Sequence, residues 1–168
     1  MTVTSFEDQL INQLRDLYNA ETQVQSAYEQ WGGQAVSEEL SQFLRERHQH
    51  AGDHIELLEN LCESLGVDPT GEKCHGMEGL ITEGDTFMEE SGESPARDAG
   101  ILANVRRVEH YFLAGYDHAR ICAEQLDEED VVEQLQHLLD DAEETDGRAV
   151  EHTELLADPQ AQEAGSAA

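Results

Sequence analysis

The sequence predicts an all-α protein built as a four-helix bundle. Its apolar residues recur at steps of three and four, which is the periodicity of amphipathic helices rather than of strands. Four such segments, each of roughly 25 to 30 residues, are long enough to pack as a bundle. A chain of 168 residues fits one domain with its own core. We expect that domain over residues 1–157, followed by a disordered tail over residues 158–168.

The first two long helices are predicted to form a hairpin. The first spans residues 5–31, and Thr4 with Glu7 makes a predicted capping box at its start. Ser37 is the predicted cap of the second helix, which is expected to end at Gly66. Because the loop between the two helices is short, we expect them to lie antiparallel.

The other two long helices follow after a long connection. Ser94 with Pro95 is a strong signal for the start of the third helix, and Asp127 is predicted to cap the fourth. The connection before Ser94 contains a shorter helix, predicted over residues 76–90. One long crossover between two hairpins is the ferritin-like topology, which differs from a simple up-down-up-down bundle.

The chain is strongly acidic along its whole length. It has 38 acidic residues against 9 basic ones, and its formal net charge is -29. Such a surface repels phosphate backbones and anionic lipids, so we expect neither nucleic acid nor a membrane as a partner. A folded chain with this composition suggests a cytoplasm rich in salt, as in a halophilic cell.

The cysteines and the apolar runs favour a cytoplasmic protein. Cys62, Cys74 and Cys122 are odd in number and widely spaced, which is typical of reduced thiols rather than of a disulfide framework. The first residues, MTVTSFEDQL, lack the features of a secretory signal. No apolar run approaches the roughly 20 residues that span a bilayer.

Several ionisable residues fall where a bundle core is expected. Glu21 and Glu109 interrupt the apolar stripes of the first and third long helices. His50 and His54 lie one turn apart on the second helix, and Asp146 is in register with the stripe of the fourth. An unpaired buried charge is costly, so acids at such positions require an explanation.

The two predicted hairpins repeat this placement. Glu21 precedes His54 by 33 residues, and Glu109 precedes Ala142 by the same interval. Dimetal sites in bundles take a Glu from each of two helices and paired ligands from the other two. Carboxylates and imidazoles suit iron, manganese or zinc. The pattern therefore predicts a metal site inside the bundle.

The same acidic residues and His54 can also be explained without a metal, as part of the structure alone. Charged residues make up 28% of the chain, so an acid meets a helical stripe by chance fairly often. His54 is equally compatible with a core histidine that is paired with Glu21 or Tyr18.

Five segments resemble those of a known family, the YciE/YciF-like stress-response proteins, a branch of the ferritin-like superfamily. The resemblance extends over about residues 5–157, and its clearest segments are residues 14–21 (LRDLYNAE), 74–81 (CHGMEGLI), 108–111 (VEHY), 115–116 (GY) and 144–146 (ETD). It implies a ferritin-like bundle, a homodimer and a dimetal site, and it defines no biochemical activity.

Two departures from the family pattern reduce the expected site. That pattern has Glu where this chain has His50 and Ala142, and both are positions for a bridging carboxylate. We therefore expect one iron ion per chain (or manganese or zinc), or none. The candidate ligands are Glu21, His50, His54, Glu109 and Asp146.

Three functions follow from these observations, and whether the protein is an enzyme stays open. The first is a stress-associated protein that handles iron or peroxide at an open metal position. The second is a non-catalytic, structural or stress-associated helical dimer that has lost the metal site. The third is an acidic surface that buffers cations without a defined site.

We predict that folding depends on salt. Repulsion within a chain of charge -29 should weaken as the Debye length falls from about 30 Å at 0.01 M salt to about 3 Å at 1 M. Thermal melts in low and in molar KCl should show a higher midpoint at high salt. Sulfate is unsuitable because it also strengthens hydrophobic burial. An unchanged midpoint would mean that the charges are locally balanced.

Overall fold

The structure, a computed structural model that describes residues 3–158, is all-helical over those residues. Its five helices are α1 (Phe6–Gln34), α2 (Glu38–Ser64), α3 (His75–Glu90), α4 (Pro95–Glu124) and α5 (Glu129–Ala157). The predicted all-α class is confirmed, and the connection between α2 and α4 contains the expected short helix. Residues 159–168 of the predicted tail lie outside the described residues.

The start of α1 is one residue later than the sequence pattern suggested. Ser5 is the N-cap, and its hydroxyl accepts a hydrogen bond from the Asp8 amide at 3.1 Å. The Asp8 carboxylate accepts in return from the Ser5 amide at 3.1 Å. The capping box is therefore Ser5 with Asp8, and the prediction of Thr4 with Glu7 was wrong.

Of the other predicted caps, Ser37 and Ser94 stand at the N-cap positions of α2 and α4, whereas Asp127 does not stand at that of α5. Ser37 caps α2, because its side chain accepts from the Leu40 amide at 3.2 Å. The cap position of α5 is Glu128, not Asp127 as predicted. Asp127 has a φ of 57°, in the left-handed region, so it belongs to the turn that leaves α4.

The four long helices contact one another in a closed ring. α1 packs against α2 and α4, and α5 packs against α4 and, less extensively, α2. Gln9 contacts His118, while Tyr28 near the other end of α1 contacts Glu109, so α1 and α4 are antiparallel. Each long helix contributes side chains to one continuous core, including Leu14, Trp31, Leu44, Leu58, Val105, Phe112, Leu135 and Leu138.

Hydrogen bonds fix the connection between α2 and α4 to the first hairpin, among them contacts at the start of α3 and in the first turn of α4. At the start of α3, the Cys74 amide donates to Asn19 Oδ1 at 2.8 Å. In the first turn of α4, buried Asp98 accepts from the backbone amides of Val36 and Ser37 at 2.7 and 2.8 Å. The connection is therefore tied to α1 and to the loop that follows α1.

The acidic residues are distributed unevenly with respect to the helix dipoles. Every described helix has an acidic residue in its first turn, where it favours the positive end of the dipole. No helix within residues 3–158 has a basic residue in its last turn.

In the described part of the chain, no helix combines the length and the apolar character that a membrane span requires.

Candidate functional site

The core encloses a cluster of polar side chains that we call the buried polar centre: Glu21, Tyr28, Arg47, His54, Glu109 and Tyr116. Glu21 lies on α1, His54 on α2 and Glu109 on α4, and none of the three is more than 4% exposed. His54 Nδ1 is 2.9 Å from Glu21 Oε1. The structure thus brings together three of the five residues that the sequence marked as candidate ligands.

Two buried tyrosines donate hydrogen bonds to the two carboxylates. The Tyr116 hydroxyl donates to Glu21 Oε1 at 2.5 Å, and the Tyr28 hydroxyl donates to Glu109 Oε1 at 2.6 Å. Burial, together with the neighbouring carboxylates, holds the pKa of both tyrosines well above its usual range. Both hydroxyls therefore stay protonated and act as fixed donors.

Arg47 places a permanent positive charge beside Glu109. Its side chain is buried, and Nη2 lies 3.9 Å from Glu109 Oε1. Burial alone would lower the pKa of Arg47, but the Glu109 charge and its neighbours raise it above its usual value. The Arg47 Nε has no hydrogen-bond partner among the described residues. Its Nη1 lies 3.1 Å from His50 Nδ1, and the guanidinium is charged.

His54 lies between two carboxylates. Its Nδ1 faces Glu21, and its Nε2 is 3.2 Å from Asp141 Oδ2 on α5. Burial opposes protonation, but the hydrogen bond and charge of Glu21 outweigh it and raise the pKa of His54. With a carboxylate oxygen on each side, the protonated imidazole donates from both nitrogens. It has no lone pair free for a metal in this arrangement.

His50 and Asp146 do not join the centre. His50 is exposed, and its Nδ1 is 3.1 Å from Arg47 Nη1. Asp146 accepts from Arg106 Nε at 2.7 Å and lies 3.4 Å from His110 Nε2, on the outer side of α4 and α5. The structure therefore does not bring these two candidate ligands together with Glu21.

The inward positions on α2 and α5 are three residues apart rather than four. Ala51 and His54 are buried on α2, as are Ala142 and Thr145 on α5. In dimetal bundles each of these two helices carries Glu-x-x-His at that spacing. This chain has Ala-x-x-His and Ala-x-x-Thr instead. Half of the ligand positions of such a site therefore hold side chains that do not bind metal.

The donors that remain do not form a metal site as they stand. Thr145 Oγ1 donates to the Asp141 carbonyl of its own helix at 2.8 Å. Within residues 3–158 no group of three or more His, Cys, Asp or Glu side chains is arranged to hold a metal ion. The residues present do not fit the dimetal centre that the family resemblance implied. The arrangement is a set of internal ion pairs and hydrogen bonds.

Sequence reasoning missed the part played by three residues of the centre. Arg47 lies on the predicted stripe of α2, and Tyr28 and Tyr116 lie on those of α1 and α4, but none was assigned a polar role. An arginine on an apolar stripe, in a chain that also places acids on two other stripes, was the available signal.

The sequence matches a known protein family. A family model described as a domain of unknown function, DUF892, matches residues 5–162. The chain belongs to this family. Protein YciF of Escherichia coli (strain K12) is 31% identical over 147 residues, which are 87% of this chain and 89% of YciF. The resemblance to YciF-like proteins that the sequence indicated is thereby confirmed.

Two solved structures have the same fold. The crystal structure of the E. coli stress protein YciF is 29% identical and has a TM-score of 0.89, covering 92% of this chain and 98% of YciF. YcfI from Rhodopseudomonas palustris, described as a candidate structural protein, is 34% identical with a TM-score of 0.83. That match covers 88% of this chain and 94% of YcfI.

We predict that Glu109 makes the fold less stable as pH rises. Burial raises the pKa of Glu109 from its ordinary 4.5 to about 7, although Arg47 and Tyr28 oppose the rise. The folded protein therefore holds a proton that the unfolded chain releases. The contribution of this proton to the free energy of unfolding is fully present below about pH 4.5. It is lost as pH rises from there through about 7, by roughly 3 kcal/mol in total. The raised pKa of His54 acts in the same direction.

Urea unfolding of the wild type and of Glu109→Gln between pH 5 and 8 would measure this effect. The variant should lose less stability with rising pH than the wild type. Glu39→Gln, which removes an exposed charge from α2, is the matched control and should behave as the wild type does. Equal pH slopes for the wild type and Glu109→Gln would contradict the prediction.

Proposed function

We propose that this chain is a non-catalytic, stress-associated structural protein with a ferritin-like framework. The four long helices would form the four-helix bundle of that class, with α3 in the crossover between α2 and α4. The buried polar centre would then be a stabilising and register-setting element rather than a reaction site. One observation carries the proposal, namely that the inward positions for ligands on α2 and α5 are Ala51, His54, Ala142 and Thr145.

The chemistry of iron explains why that observation matters. Activation of O₂ or peroxide needs a firmly held metal with an open coordination position. Here alanines stand at the two positions for bridging carboxylates, and the inward His54 lies between the carboxylates of Glu21 and Asp141. Glu21 and Glu109 already accept hydrogen bonds from tyrosines. Most polar groups of the centre are paired with one another, and the centre offers no ready set of ligands.

The relatives support the same conclusion. YciF is described as a stress protein, and YcfI is described as a candidate structural protein. The acidic composition further supports a location in a cytoplasm of high salt, where the surface charge is screened.

We predict that the protein does not accelerate iron oxidation. Aerobic oxidation of Fe²⁺ in molar KCl, followed by absorbance, should proceed at the same rate with the wild type and with Glu21→Gln/His54→Ala. That double variant removes two of the side chains that could bind iron, and it serves as the matched control. A wild-type rate clearly above that of the variant would contradict the non-catalytic proposal and would support the handling of iron.

We also propose that the protein is a homodimer, as the family resemblance implies. Two chains of charge -29 repel each other, so screening should strengthen their association. Sedimentation equilibrium in molar KCl should give twice the mass of the chain, with dissociation favoured as salt is removed. A single-chain mass at every salt and protein concentration would contradict this proposal.

A further inference from the structure

We propose that the second half of α5, residues 142–157, is a strap that Arg148 holds closed and that opens as one unit at low salt while the rest of the bundle stays folded. We call this segment the α5 strap. When closed, it packs against α2, where Phe43 is 2% exposed. Opening uncovers that side chain. The proposed function does not depend on this movement.

The two halves of α5 differ in the apolar surface that they bury. The buried residues of the first half are large, whereas those of the strap are small. They are Val131, Leu135 and Leu138 in the first half and Ala142, Thr145 and Ala149 in the strap. Of the two leucines in the strap, Leu155 is 63% exposed and Leu156 is only partly buried. Each buried methylene contributes about 0.8 kcal/mol, so burial stabilises the closed strap far less than the first half.

The helix of the strap is also weak in itself, because it contains Gly147. This glycine is exposed, and a Cβ built on it would contact no side chain within 4 Å other than those of its immediate neighbours. Close packing therefore does not require a glycine at this position. Glycine inside a helix destabilises it by roughly 0.5–1 kcal/mol relative to alanine, since the unfolded glycine backbone has more freedom to lose. Gly147 thus favours the open strap.

Charge repulsion opposes the closed strap when salt is low. The strap carries one arginine and five acidic residues, which are Glu143, Glu144, Asp146, Glu151 and Glu154. Glu154 lies in the last turn of α5, where the negative end of the helix dipole disfavours an acid and no basic residue offsets it. The rest of the chain is acidic as well, so it repels the strap. Salt screens both effects, and its removal therefore favours opening.

Arg148 joins the strap to α2. Its Nη2 donates to Glu46 Oε2 at 2.8 Å, and its guanidinium lies over the Phe43 ring, 4.9 Å from the ring centroid. On the other side, Asp146 accepts from Arg106 of α4 at 2.7 Å. Both ion pairs are partly exposed, and such pairs contribute about 0.2–1 kcal/mol each. Salt weakens them too, but they are few beside the five acids of the strap, so added salt closes the strap on balance.

Amide hydrogen exchange of the full chain, followed by mass spectrometry and corrected for intrinsic rates, tests the inference. In molar KCl the amides of the strap should exchange about 10-fold faster, or more, than those of residues 131–141 in the same helix. The difference should widen at the lowest KCl concentration that leaves the helical circular dichroism unchanged. Faster exchange confined to the last turn would be ordinary fraying of a helix end and would overturn the inference. A difference that narrows as salt is removed would overturn it too.

Gly147→Ala distinguishes opening of the strap from unfolding of the whole protein. It strengthens the helix and should slow exchange across the strap by roughly threefold. Gly79→Ala is the matched control, because Gly79 is an exposed glycine of α3 with equally open space around its Cβ position. Since α3 stays folded when the strap opens, the control should leave exchange of the strap unchanged. Equal slowing of the strap by both variants would mean that it opens only with the whole protein, which overturns the inference.

Arg148→Gln tests the contact that holds the strap closed. Loss of the ion pair and of the contact with the Phe43 ring should accelerate exchange across the strap by roughly fivefold. Arg45→Gln is the matched control, since it removes the same charge from an exposed arginine that pairs with Glu38 on α2. The control should exchange as the wild type does. Equal exchange of the strap in the two variants would overturn the inference, because Arg148 would then not hold the strap.

Discussion

The core of this protein depends on the burial of two carboxylates from different helices. A buried ion without a compensating charge destabilises the folded state by several kcal/mol, even after the surrounding structure has relaxed. Tyr28 and Tyr116 each donate to one carboxylate, Arg47 supplies permanent positive charge, and His54 links α2 to α1. These partners come from three helices, so a slip of one helix by a turn would leave a buried charge without compensation. The polar centre therefore fixes the register in which the apolar side chains around it pack.

Much of the fold could be predicted from the sequence, because local signals determine most of it. Ser37 and Pro95 mark helix starts because their effect depends only on neighbouring residues. The spacing of the apolar residues identifies the helices themselves. The start of α1 was missed by one residue because Thr4 and Ser5 each have an acid three residues later. Either pair satisfies the capping pattern, and only the backbone conformation distinguishes them.

The candidate site could be predicted only in part. Glu21 and Glu109 were recognisable because an acid on an apolar stripe conflicts with its neighbours. Spacings of both three and four residues bring side chains to one face of a helix, so the sequence could not decide between His50 and Ala51 as the partner of His54. That choice depends on how α2 is rotated against the other helices. The approach of Arg47 to Glu109 likewise joins residues far apart in the chain and has no local signal.

The contacts made by Asp98 and Cys74 affect how the chain tolerates change in length. Asp98 binds the loop between α1 and α2, and the Cys74 amide binds α1 near its middle. The segment from α3 to the first turn of α4 is therefore fixed at both of its ends, rather than joining two independent hairpins. An inserted or deleted residue in it would displace the Asp98 carboxylate from the amides that it binds. This connection, which also buries Met77 and Met88, is consequently less tolerant of insertion than the connecting loops of a domain usually are.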